Sequence, residues 1–129
     1  MTCEITWEER GVYKRFSGRV SYAEYRRSQE QVLADPRTDS LRYIINDASA
    51  LEGFAGTAED AEYSAAFNYG SSLSNPLIRV AFVTRDLRLI AMIKVASVIS
   101  SYPIRVFPTL AEARAWASEN LPPSGAPAT

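Results

Sequence analysis

Four times along this chain of 129 residues, an apolar or alternating run gives way to a polar cap and then to a pattern of helical period. Ser21-Tyr22-Ala23-Glu24 and Thr109-Leu110-Ala111-Glu112 match the capping box, in which a hydroxyl and a carboxylate satisfy each other's free backbone amides. Thr57-Ala58-Glu59-Asp60 and Asp86 give the two other helix starts. Strands that alternate with helices run parallel in one sheet, because the right-handed crossover returns each strand to the same edge order. This recurrence restricts the chain to an α/β fold, at the border with α+β.

The first strands add an antiparallel hairpin. Cys3, Ile5 and Trp7 alternate with Glu4, Thr6 and Glu8, the period of a half-buried strand. Glu9-Arg10-Gly11 is the expected turn, with Gly11 free to take positive φ, and a second strand runs from about Val12 to Val20 with Gly18 at a bend or bulge. Tyr22, Tyr25, Gln29, Val32 and Leu33 form one helical stripe that Asp35-Pro36 ends. Leu41–Ile45 reads as a short buried strand, 46–56 as a loop, and a helix opens at Thr57 and stops near Gly70. Leu77–Val83 is nearly all apolar, as a central parallel strand should be. A helix over Leu87–Ser100, a strand over Ile104–Phe107 and a last helix through Trp116 to Leu121 complete the order ββαβαβαβα. The expectation is one domain over 1–121, with a mixed sheet of about five strands, about four helices and a disordered tail over 122–129.

Composition narrows function. The chain has no histidine and one cysteine, so within it no Ser-His or Cys-His nucleophile pair, no His-containing zinc site and no internal disulfide can form. No cofactor or metal is implied. Fourteen basic residues against fifteen acidic ones give no electrostatic reason to expect nucleic acid. The first residues lack an export signal and no apolar run reaches the ~18 residues of a spanning helix, so a cytoplasmic protein without stable membrane insertion is expected.

The third helix is apolar nearly all round. Leu87, Ile90, Ala91, Val95 and Val98 form one stripe, and Leu89, Met92, Ile93, Ala96 and Ile99 form its neighbour. A helix on a sheet buries one stripe, so the first is expected on the sheet. The second is left for deep packing, a homodimer seam, a membrane surface or an apolar ligand. If the second and third helices are neighbours, Tyr63 and Phe67 would join Leu89, Met92, Ile93 and Ala96 along one apolar groove.

Other candidates are polar. Thr57, at a helix amino terminus, and Ser49 are possible phosphoacceptors, although Thr57 is equally an N-cap and Glu52, Glu59 and Asp60 would repel a phosphate. Asp47, at the expected carboxyl end of the third strand, could contact a polar ligand or serve an enzyme together with a tyrosine, or simply form an Asx-turn. Arg19 with Arg26 and Arg27, and Arg85 with Arg88, form two arginine clusters suited to carboxylate or phosphate, or to a salt-bridged surface. Cys3 reads as a small apolar filler.

Several segments carry a family resemblance. Phe16-Ser17-Gly18-Arg19-Val20, just before a helix, looks like the strand–Gly–helix junction of STAS domains. Arg79–Val83 with its apolar helix, Ile104–Thr109 and Ala111–Trp116 are similar to the carboxy-terminal half of the bacterial SpoIIAA-like (STAS/SEC14-type) small proteins. The resemblance spans about residues 3 to 121 and implies a STAS-like, non-enzymatic domain acting through protein or apolar-ligand contacts. STAS-type anti-sigma-factor antagonists carry an Asp-Ser-Ser-Gly signature at the second helix; here 51–59 reads Leu-Glu-Gly-Phe-Ala-Gly-Thr-Ala-Glu, with no serine pair. The resulting expectation is a regulatory module that forms a homodimer and binds a protein partner. The alternative is a carrier that holds a lipid-like or other apolar molecule between the second and third helices.

Overall fold

The computed structural model describes residues 2–121; the expected tail over 122–129 lies outside the described residues. The elements are β1 (Cys3–Trp7), β2 (Gly11–Ser21), α1 (Tyr22–Leu33), a 3-10 turn (Pro36–Ser40), β3 (Tyr43–Ala55), α2 (Ala58–Ser72), β4 (Arg79–Val83), α3 (Leu87–Ile99), β5 (Ile104–Phe107) and α4 (Leu110–Ala117). The strands lie side by side in chain order, β1 antiparallel to β2 and every later pair parallel. This is the mixed α/β sheet with four helices that the alternation predicts.

Alternation along the strands divides the side chains between two faces. Val12, Ile44 and Val80 point to one face and meet Val32 of α1 and Tyr102. Tyr43, Ile45, Ala81 and Val83 point to the other and meet Ala113 and Ala117 of α4. Helices α1, α2 and α3 therefore share one side of the sheet, as successive right-handed crossovers require, and α4 covers the reverse. No helix among the described residues is long and apolar enough to cross a membrane.

The capping signals operate as read, except that the Thr109–Glu112 match forms only its hydroxyl half. Ser21 and Glu24, and Thr57 and Asp60, form reciprocal capping boxes, and the side chains of Asp86 and Thr109 accept from amides of α3 and α4. Gly18 takes φ of +70° next to register shifts between β2 and β3, the irregularity expected there.

Four boundaries differ from expectation. The stretch 46–56 is mostly strand, because β2 is eleven residues long and pairs β3 along its whole length from Tyr43 to Ala55. Pairing with a long neighbour overrides the low strand propensity of Asn46, Asp47 and Gly53. Helix α2 runs through Gly70 to Ser72, and β4 starts at Arg79, leaving Leu77 exposed. Helix α4 stops at Ala117, while Leu121 still packs on the second core. Gly11 is not in the positive-φ region; a Cβ there would stand 2.3 Å from the Tyr43 ring, so close approach is what requires glycine.

Candidate functional site

The orientation of α3 decides the site. Most of its second stripe faces inward: Ile93 is buried, and Leu89, Met92 and Ala96 line a cavity under the helix layer, while Ile99 at its end is exposed. The first stripe, expected on the sheet, faces water, with Leu87 81%, Val95 54% and Val98 84% exposed. Both stripes are apolar, so the pattern could not define the rotation of the helix; packing against α2 and β5 does.

The cavity, of about 80 Å³, lies between the sheet and the layer of α1, α2 and α3. Phe16, Ala48, Val80 and Phe82 supply the sheet side, and Tyr22, Tyr25 and Phe54 wall it with aromatic rings. Tyr25 is the hub, with ring centroids 5.8 Å from Phe16, 6.3 Å from Phe54 and 6.4 Å from Phe82. Of the expected groove residues, the structure brings Leu89, Met92, Ile93 and Ala96 together and leaves Tyr63 and Phe67 elsewhere. Tyr63 is half exposed, edge-on to Tyr22 and under the Arg26 guanidinium at 5.3 Å. Phe67 lines a separate hollow with Leu33 and Asn75.

Two polar groups are buried at or beside this wall. Asn46, 1% exposed, lines the cavity, and its Oδ1 has no hydrogen-bond partner among the described residues. Its cross-strand neighbour Lys14 is 2% exposed. Lys14 Nζ donates to Ser28 Oγ at 3.3 Å and stands 5.1 Å from the Tyr25 ring centroid. Burial pushes the ammonium down to about 8, and no carboxylate pairs it among the described residues. Sequence reasoning missed Asn46, Phe54 and Phe82 because 46–56 read as a loop and Phe82 as generic strand core.

Asp47 lies within β3, not at its end, and faces away from the cavity. Tyr13 donates to its Oδ2 at 2.5 Å, and Ser49 donates to Oδ1 through N at 3.0 Å and Oγ at 2.6 Å. Burial alone would raise the carboxyl, but the Ser49 and Tyr13 bonds outweigh it and hold it below its usual value. Burial and the Asp47 bond push Tyr13 up to about 12. The Tyr13–Asp47 bond ties β2 to β3 through side chains. Ser49 is in β3, its hydroxyl bonded to Asp47, and Thr57 is exposed with Oγ1 accepting from Asp60 N at 3.2 Å. Arg26 pairs with Glu30 at 3.5 Å. No group of three or more metal-ligating Cys, Asp or Glu side chains is assembled among the described residues.

Fold and site together define a class: a small mixed α/β domain, helices on both faces of its sheet, with an aromatic-walled cavity under three of them. The chain belongs to the SpoIIAA-like family, whose sequence profile matches residues 12–118. No curated protein sequence matches it significantly. Three of the solved structures similar to this chain illustrate the shared fold. The anti-sigma factor antagonist SpoIIAA in its unphosphorylated form superposes with a TM-score of 0.62 at 8% identity, covering 92% of this chain and 99% of its own. An anti-sigma factor antagonist from Mycobacterium paratuberculosis gives 0.59 at 16%, covering 92% and 94%. An uncharacterised protein of SpoIIAA-like fold from Shewanella loihica PV-4 gives 0.52 at 16%, covering 89% and 91%.

Proposed function

We propose that the chain is a non-enzymatic regulatory module that self-associates and contacts a protein partner through the outer stripe of α3. The exposure of Leu87, Val95 and Val98 on one helix face carries this reading. Burying each such side chain contributes about 1.5–3 kcal/mol, which a monomer forgoes. The naming of two structural neighbours as anti-sigma factor antagonists supports a role in protein contact. Light scattering at high micromolar concentration tests it: the wild type runs as a dimer, and Val98→Asp runs as a folded monomer whose unfolding midpoint, unlike the wild type's, does not depend on protein concentration. A wild-type monomer under those conditions overturns the homodimer.

The cavity favours a second reading, a carrier of an apolar molecule between the sheet and α2 and α3. Leu89, Met92, Ile93 and Ala96 meeting the aromatic wall supports it. At about 80 Å³ the cavity takes only part of a ligand, since sites for drug-sized molecules start near ~300 Å³. A co-purifying apolar molecule seen by native mass spectrometry supports this reading, and no uptake of any apolar probe removes it.

A further inference from the structure

We propose that Arg19, Arg85 and Arg88 form an anion-binding cleft that receives the acidic head of an amphipathic small molecule whose apolar end enters the neighbouring cavity. The proposal rests on the carrier reading and supplies what that reading lacks, the volume and the polar anchor.

A cleft of about 860 Å³ opens beside the cavity at the carboxyl ends of β2, β3 and β4. Open α/β sheets place ligands at that edge. Ala48, Leu51, Phe54, Leu89 and Met92 line both spaces, so cleft and cavity adjoin along a shared apolar wall. Arg19 at the end of β2 and Arg85 and Arg88 at the start of α3 line the cleft. The fold thus separates Arg19 from Arg26, which pairs with Glu30, and unites it with the other arginine cluster.

The charges of the cleft are unequally engaged. Among the described residues none of its three arginines forms an ion pair, and Arg19 and Arg88 make no side-chain hydrogen bond. Arg85 Nε donates to the Pro108 carbonyl at 3.3 Å, which orients the guanidinium and leaves its terminal nitrogens open. The acids lining the same cleft are Glu24, Glu52 and Asp86. Glu24 is held by Ser21 and by the Thr2 hydroxyl, and Asp86 accepts from the backbone amides of Arg88 and Leu89 at 2.9 and 3.1 Å. Three acids balance the three arginines in formal charge, but Glu24 and Asp86 are engaged by neutral donors, and of the three only Glu52 makes no side-chain hydrogen bond among the described residues. Each guanidinium is able to bind a carboxylate or phosphate through two parallel bonds. Asn46 Oδ1 in the cavity wall is an acceptor for a water or ligand hydroxyl brought in with the chain.

Calorimetric titration with octanoate, octyl phosphate and octan-1-ol, which share one tail, tests this on the full chain and on Arg19→Gln/Arg85→Gln/Arg88→Gln. All three substituted residues are exposed, and the thermal unfolding midpoint verifies that the variant folds. At least one of the two acids binds the wild type about tenfold or more tighter than the alcohol, the gain expected of charge-assisted hydrogen bonds. The tighter acid identifies the headgroup. In the variant its affinity falls to that of the alcohol, whose own affinity is unchanged. Equal binding of acids and alcohol, or an acid preference that survives in the variant, refutes the anion site and leaves the carrier reading standing. No binding of any of the three refutes both.

Discussion

Lys14 offers the sharpest test of the energetics on the helix-covered side of the sheet. Burial lowers its pKa from 10.5 to about 8, and each pKa unit corresponds to about 1.4 kcal/mol. Holding the ammonium inside therefore costs about 3 kcal/mol at neutral pH. Between 8 and 10.5 the unfolded chain holds the proton and the folded one does not, so stability rises with pH. From about pH 7 to about pH 9.5 the gain is about 2 kcal/mol. Two other effects oppose it: the Cys3 thiol, pushed up from 9.0 by burial, favours the unfolded state once it ionises there, and Tyr13, Tyr22, Tyr25, Tyr43 and Tyr102, all pushed up from 10.0 chiefly by burial, do the same as pH reaches that value. The measurement is therefore a set of urea unfolding curves below pH 10 in a Cys3→Ser background. Lys14→Met removes both the penalty and the slope but loses the Ser28 hydrogen bond, worth about 1 kcal/mol. The variant is about 1–2 kcal/mol more stable at pH 7, and the gap closes as pH rises. A wild-type profile that is flat over this range, or a variant less stable at every pH, would refute the reasoning.

Three further outcomes follow from individual contacts. Tyr102 donates its hydroxyl to the Asn75 carbonyl and accepts from Ser71 Oγ, both at 2.9 Å; Tyr102→Phe leaves the carbonyl unpaired and lowers the unfolding free energy by about 1–2 kcal/mol in urea. Gly11→Ala drives a Cβ into the Tyr43 ring, which Glu8 holds through a 2.6 Å bond from the phenol; it costs about 1–3 kcal/mol, and an unshifted thermal midpoint would show that the ring yields. Arg114 donates to Glu8 at 3.0 and 2.9 Å, and these bonds, more than that from Tyr43, hold the carboxyl below its usual 4.5. That stabilisation is complete above pH 4.5 and is lost as pH falls through the folded value, and because Arg114 is well exposed Glu8→Gln costs at most about 1 kcal/mol, seen as a shallower acid limb.

Much of the architecture is written locally. Caps, apolar runs and alternation place six of the nine strands and helices within a residue or two of where they form. The stretch 46–56 failed as a reading because its strand character comes from β2, a partner distant in sequence, and not from its own residues. The candidate site was half legible. Leu89, Met92, Ile93 and Ala96 share a helical stripe, which periodicity shows, but Tyr25, Phe54 and Phe82 meet across three separate elements, which it does not.

The sequence by itself determined the α/β class, the parallel order of the later strands and the exclusion of histidine chemistry, because caps, periodicity and composition are local properties. Tertiary structure alone decided which apolar stripe of α3 meets water, since two equally apolar faces leave the helix rotation undetermined until α2 and the sheet pack against it. It also decided that Arg19 joins Arg85 and Arg88, because the parallel order of β2, β3 and β4 brings their carboxyl ends to one edge of the sheet.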